Sequence, residues 1–180
     1  FIRDEKALSI LEKILAKSSQ SMLIDNISPR KPFGLDGTLI VRQAFQTNSE
    51  GLNQPVKCFA KGTVGFIERV DVPLHAEWID QWKVLTARAN NIGTELNDDN
   101  LNTIVAGPGS ACTETYILIG TNLGLDERQT TNLSKYLKTK FVRYLHSLAK
   151  SSQDAARQTY RFVPRQDFSE NSEINWNEPY

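Results

Sequence analysis

The chain has 180 residues, with 21 Lys and Arg against 21 Asp and Glu, a formal net charge of zero, and 39% hydrophobic residues. That length supports one domain with its own core, and neutrality excludes a global basic field, so a polyanionic partner has to be met by a local patch. Apolar runs such as "YILIG" are far too short to cross a bilayer, and the opening "FIRDEKALSIL" is charged and amphipathic rather than a secretory leader. Phe1 and the single methionine, Met22, read as a domain whose natural chain extends further toward the N-terminus. Cys58 and Cys112 lack any CxxC spacing and read as reduced thiols of a cytoplasmic protein.

Asp4 to Lys17 is predicted as a helix, with Ala7, Leu8, Leu11, Ile14 and Leu15 at helical spacing and Asp4 as its N-cap. Pro29, Pro32, Gly34 and Gly37 then break the pattern into loop. From Thr38 the period changes to two. "TLIVRQAFQ" is a strand candidate, and "VKCFAKGTVGFIERVDV" reads as two strands around a turn at Gly62, with Val64, Phe66, Val70 and Val72 on one face. Residues 82–89 and 103–107 read as further strands around the polar loop "NNIGTELNDDNLN", and "ETYILIG" (114–120) is apolar on both faces, as a central strand would be. A single long helix follows, capped by Asp126 and ending near Lys150, with Leu133, Leu137, Phe141, Tyr144, Leu145 and Leu148 as its stripe and His146 at the surface. Phe162, Val163, Phe168 and Trp176 anchor an extended tail. The expected fold class is α+β, a mixed β-sheet with an N-terminal helix and a long C-terminal helix packed on it.

Catalytic chemistry finds little footing. His75, His146, Cys58 and Cys112 have no zinc spacing. Ser110 or Cys112 in "GPGSACTE" could serve as a nucleophile, but the segment leads into a strand, whereas a nucleophile elbow runs from strand to helix. Neither "GPGS" nor "KGTVG" completes a phosphate-binding GxxxxGK[ST] loop. "NEPY" (177–180) departs from an NPPY methylase motif at Glu178. A chain poor in chemistry and rich in polar loops has the character of a recognition module.

"QWKVLTARANNIG", "GPGSACTETYILIG", "YLKTKFVRYLHSLAKSSQDAARQTYRFVP" and "QDFSENSEINW" resemble, in order, the C-terminal part of Eco57I-like adenine-specific DNA methylases of restriction-modification systems, a part similar to the TaqI-like specificity, or target recognition, domain. The resemblance covers roughly residues 33 to 176 and is most specific from Lys83 to Pro164. It implies a bilobed, cytoplasmic enzyme. Residues 1–31 would be a helix and linker, and 32–180 the lobe that reads double-stranded DNA. An upstream catalytic lobe would bind S-adenosylmethionine and methylate the N6 amine of a flipped adenine, and the parent could also carry a nuclease. No cofactor is expected on the present chain.

The resemblance does not hand over base-reading residues, so the candidates come from chemistry. Phosphates call for Lys and Arg, guanine for bidentate Arg, and adenine for Asn or Gln. Arg88, Asn90 and Asn91, at the exit of the "KVLTARA" strand, combine both classes. Arg30 and Lys31 in the proline-bounded loop come second, and Lys138, Lys140 and Arg143 on the long helix third. Ser110, Thr113 and Thr115 either satisfy backbone groups locally or face DNA. The rival readings are a protein-interaction module, which neutrality would suit, and a stand-alone enzyme built on Cys112 or Ser110.

Overall fold

Among the residues that the computed structural model describes (5–17, 21–41, 44–89, 102–150 and 154–178), three α-helices and two three-stranded sheets make an α+β fold. In the first sheet, β1 (Pro55–Ala60) and β2 (Thr63–Glu68) form an antiparallel hairpin, from Pro55 opposite Glu68 to Ala60 opposite Thr63. Gly62 closes the turn with φ of +70°, a conformation that costs glycine nothing. In the second sheet, β3 (Lys83–Ala87) is central, flanked on both sides by antiparallel neighbours, β4 (Ile104–Ala106) and β6 (Tyr116–Ile119). The glycine loop contributes β5 (Ser110–Cys112), which pairs parallel to β1.

The second sheet divides the interior into two cores. Side chains alternate across a strand, so Val84, Ile117 and Ile119 face one way, toward Leu133, Leu137, Val142 and Leu145 of the helices. Leu85 and Leu118 face the other way, toward Val56, Cys58, Ile67 and Cys112 of the first sheet, with Phe33, Leu35, Leu39 and Trp78 filling in. "ETYILIG" is thus apolar on both faces because both are covered, although the central position belongs to β3. The outer edge of β6 is closed by an irregular segment. Ser28 donates its amide to the Leu118 carbonyl (2.9 Å), and its hydroxyl accepts from the Leu118 amide (2.9 Å).

On the helical side, α1 (Glu5–Lys17) turns Ala7, Leu11 and Ile14 inward and leaves Leu8 and Leu15 exposed. Then α2 (Glu127–Leu137) opens on a capping box in which the Asp126 carboxylate accepts from the Gln129 amide and the Gln129 side chain accepts from the Asp126 amide. Phe168 and Trp176 of the tail pack on Tyr136, whose hydroxyl donates to the Pro164 carbonyl at 2.8 Å.

Four sequence expectations are corrected. Residues 37–41 form a 3₁₀ turn instead of a strand, because the Asp36 carboxylate accepts from both the amide and the hydroxyl of Thr38 and stabilises a turn there. The long helix is two: it breaks at Lys138, and Thr139 caps α3 (Lys140–Ala149) by accepting from the Val142 amide. The break shifts the buried face by one position, so Val142, Leu145 and His146 are inside and Phe141 is exposed. In β2 the core face is Gly65 and Ile67; Val64 and Val70 are exposed. The expected cap Asp4 lies outside the described residues.

Gly65 sits against residues 45 and 46, which exchange two backbone hydrogen bonds with β2 through Gln46 and Phe66. A Cβ there would lie 2.4 Å from the Gln46 carbonyl oxygen and 2.5 Å from the Phe45 ring. Gly65→Ala should therefore cost about 1–3 kcal/mol by overpacking. Ile117→Ala and Leu137→Ala, both fully buried, should each cost about 2–5 kcal/mol. Urea denaturation checks all three, and shifts below a few tenths of a kcal/mol would place the core elsewhere.

Candidate nucleic-acid interface

The register of β3, β6 and the Ser28 segment delivers two of the candidate cations to one place. Ile27 bridges antiparallel to Ile119, so the chain after Ser28 runs back along β6 toward Tyr116. On the other side of β6, Ala87 pairs with Tyr116, and the next amide, that of Arg88, donates to the Thr115 carbonyl at 2.9 Å. Arg30 and Arg88 therefore emerge at the same sheet end. Between them stands Asp154, which bridges to Ala89 through the backbone and forms ion pairs with Arg30 and, at 4.0 Å, with Arg88. Both guanidiniums are more than a third exposed. Such pairs contribute little to stability; their effect is to hold two forks beside one carboxylate, leaving one net positive charge facing solvent.

Lys31 adjoins this node but turns into its own loop, 4.0 Å from the Asp36 carboxylate, with a left-handed backbone (φ +51°) that lysine rarely adopts. Asn90 and Asn91 lie outside the described residues. Lys138, Lys140 and Arg143 belong to a different place, the corner where α2 turns into α3. Sequence reasoning missed Asp154, the residue that organises the node.

The glycine loop is consumed by structure. Lys83 at the head of β3 is fully buried, and its ammonium donates to the carbonyls of Gln81 (2.9 Å) and Ile79 (3.3 Å) and to the hydroxyl of Ser110 (3.0 Å). Ser110 in turn donates to the Gly107 carbonyl at 2.5 Å. Burial pulls the Lys83 pKa down to about 8. Cys112 is inaccessible, and burial pushes its thiol well above the ordinary range, which disfavours the thiolate a nucleophile needs. Burial raises the Cys58 thiol to about 12.

His146, expected at the surface, is 1% exposed and packs on the Tyr160 ring with centroids 4.5 Å apart. Neither ring nitrogen has a hydrogen-bond partner among the described residues. Burial, helped by nearby Lys150, lowers its pKa to about 4.

No family model matches the chain, and neither a curated protein nor a solved structure matches it. None of the described helices is long and apolar enough to cross a membrane.

The His146 environment fixes the sign of an acid effect. Below pH 6.5 the unfolded chain takes up a proton that the folded protein refuses until about pH 4, so stability falls as pH drops through that window. The wild type should lose about 3 kcal/mol more than His146→Leu between those two values. Urea titrations at both pH values measure it, and parallel losses would mean that the imidazole is solvated.

Proposed function

We propose that the chain is the DNA target recognition domain of an adenine-N6 DNA methyltransferase of a restriction-modification system. It would read double-stranded DNA in the cytoplasm for a catalytic lobe elsewhere in the same protein. The structural observation that carries the reading is the convergence of Arg30 and Arg88 on Asp154. A guanidinium can present two parallel N–H donors to the O6 and N7 of guanine or to a phosphate, and a carboxylate between two of them limits their rotamers before DNA arrives. The ordered resemblance from Lys83 to Pro164 supplies the rest. The cofactor of such an enzyme, S-adenosylmethionine, belongs to the catalytic lobe, and no residue of this chain is assigned a role in methyl transfer.

The charge of the domain sets the expected affinity. A neutral protein with few phosphate contacts should bind random duplex at about 10⁻⁴ to 10⁻⁶ M, weakening steeply with salt. In the parent enzyme Arg88→Ala should lose about 1–3 kcal/mol on the cognate site and much less on unrelated DNA if Arg88 reads a base. Lys138→Ala should weaken both kinds of site together and flatten the salt slope. Fluorescence anisotropy over a salt series measures these changes. Equal losses on both duplexes for Arg88→Ala would make the node a phosphate clamp, and no duplex binding at low salt would end the DNA reading.

A further inference from the structure

The break between α2 and α3 opens a groove of about 350 Å³, within the range of small-ligand clefts. Its walls include Tyr136, Phe141 and Trp176, with Ile174 and Gln166 beside them. Tyr136 and Trp176 are buried, whereas Phe141 is 41% exposed. An exposed phenylalanine at the mouth of an aromatic cleft invites a flat apolar partner.

Charge decides what kind of partner. From Arg128 to Gln153 the sequence has no Asp or Glu and carries six Lys and Arg residues. Two of the six stand at the break: Lys140 lines the groove, and Lys138 lies two positions away; both are exposed. Neither forms an ion pair with a described residue. The tail segment that supplies Gln166, Ile174 and Trp176 carries Asp167, Glu170, Glu173 and Glu178, so the cation lining the groove comes from the helical segment. An aliphatic peptide would fill the cleft and gain nothing from the lysines. A nucleotide uses both parts: its base stacks on an aromatic ring, and its phosphates meet the cations.

We infer that the groove is a stacking site for an unpaired nucleobase, its neighbouring phosphates held by Lys138 and Lys140 and one base edge facing the Gln166 amide. The inference rests on the DNA-binding reading and gives it a second contact, one that engages only when a base leaves the helix. An enzyme that extrudes one base from a duplex creates unpaired bases that such a groove would hold. Paired DNA, whose bases are stacked on each other, would engage the arginine node and the two lysines through its phosphates and leave the aromatic cleft empty.

Three ligands separate the possibilities: a short single strand of thymidines, a strand of the same length made of abasic sites, and a fully paired duplex. The wild-type chain should bind the thymidine strand about tenfold more tightly than the abasic one, since one stacked base supports a difference of that order. Phe141→Ala should erase the preference without changing affinity for the abasic strand, and Phe141→Trp should restore it. Lys138→Ala and Lys140→Ala should weaken both strands alike. Because Phe141 is exposed, its variants should fold, and circular dichroism checks that they do. Equal affinity for the two strands, with the duplex still bound, would overturn the stacking site and leave the DNA reading standing. Failure to bind any of the three would overturn both. Tight, Phe141-dependent capture of an acidic aromatic peptide in place of the thymidine strand would assign the groove to a protein. Sedimentation that rises with concentration in the wild type and not in Phe141→Ala would assign it to a second copy.

Discussion

Alternate residues of β3 and β6 point into different cores, so the sheet they share with β4 has no face to offer water. Val84 and Ile119 pack beneath the helices while Leu85 and Leu118 pack against the first sheet. A one-residue slip of either strand would exchange the two cores wholesale, so the register is fixed from both sides at once. That constraint also fixes the edge. A strand covered on both faces cannot leave an unpaired edge in the interior, and Ser28 closes it with backbone and side chain together. The positions of Arg30 and Arg88 follow from this closure: both are set by how chains line up along β6, and the surface node inherits the rigidity of the core beneath it.

The polar atoms of the glycine loop serve the same architecture. An ammonium inside a protein is tolerated only when oxygens surround it. The carbonyls of Ile79 and Gln81 and the Ser110 hydroxyl provide them for Lys83, at the point where β3 begins and the loop passes over it. A serine that resembles a nucleophile in the sequence is thus a hydrogen-bond acceptor for a buried cation. Removing the lysine would take a donor from each of those oxygens, though the Ile79 carbonyl would keep the Gly109 amide, and keeping it costs desolvation; the loop and the strand are tied by that balance.

Much of this was legible in the sequence, and the exceptions share a cause. The β1–β2 hairpin was readable because Gly62 marks the turn and the period is two. Its buried face was misread because the large side chains, Val64 and Val70, look like core. Gly65 faces inward only because residues 45 and 46 approach from a distance in the chain. "TLIV" has strand propensity, and a single Asp36 carboxylate two residues before Thr38 outweighs it. The α2–α3 break is hidden because an apolar stripe continues across it; the one signal of it in the sequence is Thr139, a capping residue in mid-pattern that was not read as a cap. In the candidate interface, Arg30 and Arg88 were identifiable by type and loop position. Asp154, which joins them from a third segment, was not, because its role depends on tertiary proximity alone.

The two cysteines have a consequence that concerns motion. Cys58 on β1 and Cys112 on β5 sit on adjacent parallel strands in the core between the sheets, and the described core beneath the helices contains no cysteine. Both thiols are buried and held in the protonated form. A thiol reagent therefore meets them only when that one half of the molecule opens. The protein carries its own labelling clock for the sheet-facing half, silent toward fraying of the helices, and its rate separates partial opening from global unfolding without any added probe.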